Sequence, residues 1–203
     1  MAEFKRIKFL FPGSVVVGAS DSAFHNGMPE IAKRYAIAEN VASKYGIYRY
    51  GYHGLSVSSA VRKLKNTHGG LPHKTIVCHL GSGASGTALY RGESVDTSMG
   101  FTPLEGIPMG SRAGSIDAEA VILLGRELKF SWNRLSGYLN MEAGLKGLSG
   151  VTSDIRKLLE LEEEGNMEAK FALDMFAYKV RQYIGAYMAT LGGLDTLVFT
   201  GIV

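Results

Sequence analysis

Two glycine-rich segments of this sequence are well suited to hold an anion. Gly81-Ser82-Gly83 directly follows an apolar run, and backbone N–H groups in such a turn can converge on a phosphate because no side chain blocks their approach. Arg112 lies in the second segment, residues 106–114, where its guanidinium could hold phosphate oxygens with two parallel hydrogen bonds. Taken singly, the first segment could be an ordinary hairpin turn and Arg112 a solvent-exposed side chain.

His53 and Asp21 could supply the other groups that phosphoryl transfer needs. His53 is flanked by Gly51 and Gly54, which indicates a tight loop that presents the imidazole, although a lone histidine is usually structural. Asp21 is predicted to follow a short strand over residues 14–19, at the strand end where ligands gather in α/β sheets. Its alternative role is an Asx turn or a helix cap. An anion cradle, a cation and an orienting polar group together favour phosphoryl transfer.

Other polar residues have structural interpretations at this point. Ser153 or Asp154 could cap a helix that runs to residue 164. Three histidines have no metal-ligand spacing to carboxylates and are expected to be structural or on the surface: His25, His68 and His73. No residue is therefore assigned as a metal ligand.

Composition argues against several classes of function. The formal net charge of +3 over 203 residues gives no reason to expect a nucleic-acid or acidic-membrane partner. Cys78 is the only cysteine, which excludes an internal disulfide and a multi-cysteine zinc site. No run of 18 apolar residues is present, so we expect no membrane span. The 26 glycines follow no period, which favours tight turns and close approach of a ligand.

The elements that must position these residues form an α/β pattern. Strands are predicted at 75–80, 84–90 and 93–97, with a hairpin turn at Arg91-Gly92. Helices are predicted at 30–45, at 56–65 with a serine cap, from the cap at Ser153 or Asp154 to residue 164, and at 168–191. A loop is predicted at 66–74. A buried strand is expected from 194 or 197 onward, where the chain either is cut short or closes its fold. This order predicts a mixed sheet.

Six segments, in order and with familiar spacing, resemble the acetate kinase (acetokinase) family. They are Asp21–His25, Tyr48–Gly54, His79–Ser85, Ser94–Gly106, Met109–Gly114 and Tyr183–Thr200. The resemblance covers about residues 10–203 and implies an α/β, ribonuclease-H-like domain of the actin-like and sugar-kinase-like superfamily, with a mixed sheet and truncated relative to the family. Residues 1–13 are then a leader or edge segment, and residues 14–203 an incomplete nucleotide-binding domain.

The resemblance also implies an activity. Family members are cytoplasmic, homodimeric transferases that move the ATP γ-phosphoryl group to acetate, giving acetyl phosphate and ADP with Mg²⁺, whose protein contacts are expected outside this chain. The chain alone is expected to be weakly active or inactive. Two alternatives stay open: a non-catalytic nucleotide-binding or assembly fragment, and a kinase for another short acid such as propionate. The helix at 171–187 could serve a dimer interface or belong to the core.

Individual roles follow from the same resemblance. Asp21 resembles the catalytic aspartate beside the acetate, and His53 and Arg112 the pair that stabilises the phosphoryl group in flight. The segments expected to contact nucleotide are a phosphate loop, His79, Leu80, Gly81, Ser82 and Gly83, and an adenosine-side contact, Asp154, Ile155 and Arg156. Tyr52 and Pro103 fall where the family lines a small apolar pocket for the acyl methyl group.

Overall fold

A four-stranded mixed sheet is the centre of this computed structural model, which describes residues 2–67 and 70–201. The strands are β1 (Lys74–Leu80), β2 (Ala84–Tyr90), β3 (Glu93–Thr97) and β4 (Thr196–Thr200). Their order across the sheet is β3-β2-β1-β4. β2 is antiparallel to both of its neighbours, whereas β4 runs parallel to β1, so the predicted mixed sheet is confirmed.

Helices cover both faces of the sheet and extend beyond it. Within the described residues they are α1 (Ala2–Leu10), α2 (Glu30–Lys33), α3 (Glu39–Tyr45), α4 (Gly54–Thr67), α5 (Ala118–Glu127), α6 (Trp132–Met141), α7 (Gly144–Ser149), α8 (Ile155–Glu163) and α9 (Met167–Leu191). None of these helices combines the length and the apolar character needed to cross a bilayer.

The long helix α9 covers one face of the sheet, close to its predicted bounds. Its first turn is capped by Asn166, whose side chain accepts from the Ala169 N–H at 2.8 Å, and it ends at Gly192 in the left-handed conformation. Tyr187 and other side chains at helical spacing pack on Ile76 and its neighbours in β1 and β2. The opposite face is covered by α4, which packs Val57 on β1 and β2.

Helices α5 to α7 occupy a segment for which the sequence predicted no element, and they hold the loop that carries Arg112. The Leu145 N–H donates to the Met109 carbonyl at 2.9 Å, and the Ala113 N–H donates to the Leu139 carbonyl at 2.9 Å. Leu145 also packs with α8 and α9 in a second apolar cluster. This part of the chain therefore positions the loop rather than extending the sheet.

Three predicted elements near the start of the chain are wrong in extent or type. The predicted strand at 14–19 has no regular secondary structure, since no described strand pairs with it, and Val15 is 90% and Val17 82% exposed. The helix predicted at 30–45 is broken, since Arg34 adopts an extended backbone after α2. The helix predicted at 56–65 with a serine cap begins at Gly54, so Ser56 lies inside it rather than at its start, and it runs to Thr67, into the predicted loop at 66–74.

The last strand, β4, is correct in place but not buried as predicted. It lies at the edge of the sheet, and on the face it shares with Ile76 and Cys78 it leaves Phe199 60% exposed. The alternate residue Val198 packs beneath α4. The strand is half-buried because α9 covers the centre of the sheet more completely than its edge. His68, expected to be structural or on the surface, and residues 202 and 203, expected to continue the last strand, lie outside the described residues.

Candidate active site

The glycine turn between β1 and β2 is where the predicted phosphate-handling residues meet. The turn is closed by a hydrogen bond from the Gly81 N–H to the Gly83 carbonyl at 3.0 Å. A Cβ at Gly83 would lie 3.1 Å from His53 Nε2 and 3.6 Å from Arg112 Nη1. Three segments far apart in sequence therefore converge, and the absence of a side chain at Gly83 leaves room for the imidazole and the guanidinium beside the turn.

Asp21 fixes the backbone of His53. The Asp21 carboxylate accepts from the His53 N–H at 2.7 Å and from the Leu55 N–H at 3.2 Å, and its carbonyl accepts from the Gly54 N–H at 2.9 Å. These N–H groups lie at the start of α4, where helical partners are lacking. Asp21 is thus a helix cap, the alternative weighed from sequence, but for a helix more than thirty positions further along the chain.

The segment that carries His53 is tightly constrained. His53 has φ of +59°, in the left-handed region that a residue with a side chain seldom occupies. A Cβ at Gly54 would overlap the Asp21 carbonyl oxygen, and a Cβ at Gly51, itself at φ +72°, would lie 2.6 Å from the His25 ring. The glycines on both sides of His53 are therefore required by close packing as well as by the turn.

The His53 ring is held by His79 and Ser85. It stacks on the His79 ring with centroids 4.1 Å apart, and its Nδ1 lies 3.0 Å from the Ser85 hydroxyl. His79 in turn has its Nδ1 2.9 Å from the Ser56 hydroxyl of α4. The remaining ring nitrogen of His53, Nε2, is the one that faces Gly83.

Burial keeps both stacked imidazoles neutral near pH 7. Burial, with a smaller contribution from His79 and Arg112, lowers the pKa of His53 to about 4 against the opposing effect of Asp21. Burial also lowers the pKa of His79, again opposed by Asp21. The positive charge beside Gly83 is therefore that of Arg112, while His53 offers a neutral hydrogen-bonding atom.

Arg112 is half-buried in a loop whose shape is set by its backbone. The Met109 N–H donates to the Arg112 carbonyl at 3.0 Å, and Arg112 Nη1 lies 3.5 Å from Met109 Sδ. Gly144, at φ +61°, lies so close that a Cβ there would overlap the Met109 carbonyl oxygen. The guanidinium therefore projects from a fixed support, which is what the predicted contact with a transferring group requires.

A cavity of about 290 Å³ adjoins the turn and brings together most of the residues predicted to contact nucleotide. Its predicted lining residues are Gly81, Ser82, Asp154, Ile155 and Arg156, whereas His79, Leu80 and Gly83 are not among those that line it. Asp154 also caps α8 as predicted, because its carboxylate accepts from the Arg156 N–H at 2.9 Å. Both roles foreseen for Asp154, helix cap and wall of the site, are thus compatible.

Four further lining residues were missed in the sequence: Gly110, Leu145, Ser153 and Phe176. Gly110 lies between the glycine turn and the residues that precede α8. Its N–H donates to the Ser82 carbonyl at 3.4 Å, and a Cβ there would lie 3.2 Å from the Ser153 Cβ. Its place two residues before Arg112 in a glycine-rich run was an available signal. Phe176 carried no such signal, since its helical spacing indicated only a core position.

Tyr52 is tied to the segment that carries Pro103. The Tyr52 hydroxyl donates to the Phe101 carbonyl at 3.0 Å, two residues before Pro103, and its ring packs against the core below the sheet. Glu105, two residues beyond Pro103, accepts from Tyr35 and from Arg49 at 2.7 Å. The segment predicted to line the acyl pocket is therefore anchored on both sides of Pro103.

His25 and His73 take a structural and a surface place, as expected. His25 is buried, with Nδ1 2.9 Å from the Ser94 hydroxyl and Nε2 3.0 Å from the Tyr52 carbonyl. His73 is exposed beside Tyr90. Among residues 2–67 and 70–201, no three His, Cys, Asp or Glu side chains come together as metal ligands. These residues therefore do not fit a complete divalent-cation site.

Comparisons with known proteins give a consistent picture. The Acetokinase family model matches residues 2–203. The acetate kinase of Dictyoglomus thermophilum is 48% identical over 193 residues, which are 94% of this chain and 48% of that protein, and the acetate kinase of Desulforamulus reducens is 44% identical over 199 residues, 97% of this chain and 50% of that protein. The chain spans about half the length of the curated relatives it matches.

Solved structures also match, over nearly the whole of this chain. The acetate kinase of Porphyromonas gingivalis superposes with a TM-score of 0.92 at 37% identity, over 98% of this chain and 50% of that one. A propionate kinase from Francisella tularensis superposes with a TM-score of 0.94 at 36% identity, over 98% of this chain and 52% of that one. These matches confirm the predicted α/β, ribonuclease-H-like fold class with its mixed sheet. Because the family model extends over the whole segment that builds the glycine turn, the His53 loop and the Arg112 loop, this chain belongs to the acetokinase family.

Proposed function

We propose that this chain supplies the nucleotide and phosphoryl-handling side of an acyl kinase that converts ATP and acetate reversibly to acetyl phosphate and ADP. The observation that carries the proposal is the convergence of His53 Nε2 and Arg112 Nη1 on Gly83, next to a cavity built from the glycine turn and the start of α8. Family membership supplies the reaction type. A cytoplasmic location and a homodimer are part of the same proposal.

Arg112 and His53 would stabilise the group in transfer. Phosphoryl transfer spreads negative charge over the equatorial oxygens, and fixed donors around them lower the barrier because they need no rearrangement. Arg112 supplies the charge and the paired donors, and the neutral His53 a single hydrogen bond. The Asp21 carboxylate accepts from two backbone N–H groups, and its remaining lone pairs could accept from a water that positions the acid.

The nucleotide would occupy the adjoining cavity. Its phosphates would lie along Gly81 and Ser82, and its adenosine beside Leu145, Phe176 and the first residues of α8. Gly110 fits this arrangement because a side chain there would press on Ser153 and narrow the passage beside the turn. Since the described residues do not form a divalent-cation site, Mg²⁺ would rely on the nucleotide phosphates and other ligands, and no step here depends on it.

Calorimetric titration of this chain with ADP, beside a coupled kinase assay with acetate, tests the proposal. Binding with turnover supports the full proposal. Binding without turnover, lost in Gly110→Val and kept in the exposed α5 control Arg126→Ala, supports the alternative of a non-catalytic nucleotide-binding or assembly fragment. An absence of ADP binding by a folded chain would refute both.

A second candidate function is that of a propionate kinase, which differs from the first in the preferred acid. It is favoured by the close superposition on a propionate kinase, which matches as well as the acetate kinase structure does. One methylene in an apolar pocket changes discrimination by only about 1–3 kcal/mol, so both acids are expected to react to some extent. Ratios of kcat/KM across acetate, propionate and butyrate would identify the preferred acid.

For the proposed homodimer, the exposed aromatic rings of Phe171 and Tyr178 on α9 offer an interface. Analytical ultracentrifugation would measure whether the chain is a monomer or a dimer.

A further inference from the structure

We propose that Ser85 is a positioning residue that decides which ring nitrogen of His53 carries the proton. Its hydroxyl donates to Nδ1, so that the hydrogen lies on Nε2, the atom that faces Gly83 and Arg112. His53 would then meet an anion in the site as a neutral donor. Nothing in the family comparison assigns a role to Ser85.

The first support is the rigidity of the contact. Ser85 lies directly opposite His79 in the β1–β2 ladder, so the two side chains share one face of the sheet. His53 stacks on His79 and at the same time places Nδ1 3.0 Å from the fully buried Ser85 hydroxyl. The backbone of His53 is fixed by Asp21, so a rotation of the ring that moved Nδ1 away would break its contact with Ser85.

The second support is the direction of the hydrogen bond. A serine hydroxyl has one proton to donate and two lone pairs. Among the hydrogen bonds of the described residues, the Ser85 hydroxyl has only His53 Nδ1 as partner. If Nδ1 carried the proton, the buried Ser85 hydrogen would be left without an acceptor, which native structures avoid. Donation from Ser85 to an unprotonated Nδ1 satisfies both groups.

The third support is the charge state of the ring. The charged and titratable groups that face His53 are His79, Arg112 and His25, which disfavour a second proton, and Asp21, which favours it. Burial has the largest effect and also disfavours the second proton, so the pKa of His53 is lowered to about 4. With one proton on the ring at neutral pH, its location on Nδ1 or Nε2 decides whether the site presents a donor or a lone pair to an anion.

The consequence for the reaction rests on the proposed function. A lone pair on Nε2 would repel phosphoryl oxygens, whereas an Nε2–H strengthens its hydrogen bond as negative charge develops on them. Ser85 would act on the rate through His53 and never touch the substrate. His53 is then a hydrogen-bond donor in both directions of the reaction, and no proton leaves it.

The tautomer can be measured without any turnover. A nitrogen-15 labelled chain gives long-range proton–nitrogen correlations for each imidazole, and the His53 set is identified by its loss in His53→Gln. At pH 7 we expect Nε2 to show the pyrrole-like shift of a protonated nitrogen and Nδ1 the pyridine-like shift. The reverse assignment in the wild-type chain would overturn the proposal.

Two variants of equal shape isolate the hydroxyl. Ser85→Thr keeps it, while Ser85→Val replaces it with a methyl group. We expect the threonine chain to match the wild type, and the valine chain to show a mixture of the two tautomers and a raised His53 pKa, since a donor to the neutral ring has been lost. The buried His25 is the internal control, because its correlations should not change in any folded variant. Unchanged His53 tautomer and pKa in the valine chain would overturn the role of Ser85; if that chain does not fold, Ser85→Ala takes its place.

Kinetics separate this inference from the proposed function. If the chain turns over, kcat should fall about tenfold or more in Ser85→Val with little change in KM, and recover in Ser85→Thr, because a wrong tautomer mainly affects the transition state. Equal kcat in the two variants would count against the role. A chain with the expected tautomer but no turnover and no ADP binding would refute the proposed function and leave the tautomer assignment standing.

Discussion

Replacing Gly83 by alanine tests the convergence on which the proposed site depends. The added Cβ would lie 3.1 Å from His53 Nε2 and 3.6 Å from Arg112 Nη1. The first distance is shorter than ordinary van der Waals contact, so the imidazole must retreat by a few tenths of an ångström. More important, the methyl group would take the space between the two donors where an anionic group would lie.

The expected effect is large on function and small on stability. Gly83 does not have a positive φ, so alanine is tolerated by its backbone, and the unfolding free energy should change by less than about 1 kcal/mol. Turnover should fall about 100-fold, because displacement of a group from its reactive position by a fraction of an ångström to 1 Å has a cost of that size. Affinity for ADP should fall less, since the adenosine end of the cavity is unaffected.

Gly185→Ala in α9 is the matched control. It adds the same methyl group where nothing lies within 4 Å, and alanine should stabilise the helix by up to about 1 kcal/mol. The coupled assay, ADP titration and thermal unfolding are compared in the two variants. If Gly83→Ala remains folded and retains the turnover and ADP affinity of Gly185→Ala, His53 and Arg112 do not act together at the turn.

Three further predictions concern charges. Arg112→Ala should reduce turnover about 10²–10³-fold, as expected for the loss of a transition-state donor, with Arg126→Ala unchanged in the same assay. Glu105→Gln should lower the unfolding free energy by about 1–3 kcal/mol in a denaturant titration, because it leaves the half-buried Arg49 without its only salt-bridge partner among the described residues, at 2.7 Å; a loss below about 0.5 kcal/mol would show that the pair contributes little. Because the pKa of His53 is lowered from 6.5 to about 4, the unfolded chain binds its proton first, so the stability due to this group is complete above pH 6.5 and is lost as the pH falls toward 4. His53→Gln should flatten that decline, and an identical slope would contradict it.

The central sheet was predictable from sequence because its signals are local. The strands β2 and β3 have their predicted bounds, since a glycine turn and Arg91-Gly92 delimit them. Asn166 and Gly192 likewise mark the ends of α9. By contrast, the segment at 14–19 has the composition of a strand, but a strand also needs a neighbour to pair with, and periodicity does not report whether one exists.

Residue types indicated which side chains to compare at the candidate site, but not how those side chains are connected. Residue types indicated His53, Arg112 and Asp21, whereas nothing in their spacing showed that Asp21 binds the backbone beside His53. Ser85 was missed because a buried serine on a strand has no distinctive pattern. Contacts of this kind join positions more than thirty residues apart, so they depend on the packing of α4 on the sheet rather than on local sequence.

The contacts of Asp21 make folding and chemistry inseparable at this site. The same carboxylate that caps α4 holds His53 at φ +59°, a backbone conformation that costs about 1–3 kcal/mol when it is not supported by its surroundings. That cost is offset by the cap, by the stack on His79 and by the bond to Ser85, each of which also orients the ring. A substitution that removes the contact made by Asp21, His79 or Ser85 should therefore change stability and ring orientation together. Gly83→Ala differs from such substitutions, because it leaves the supports of the His53 backbone in place and adds a methyl group between His53 and Arg112.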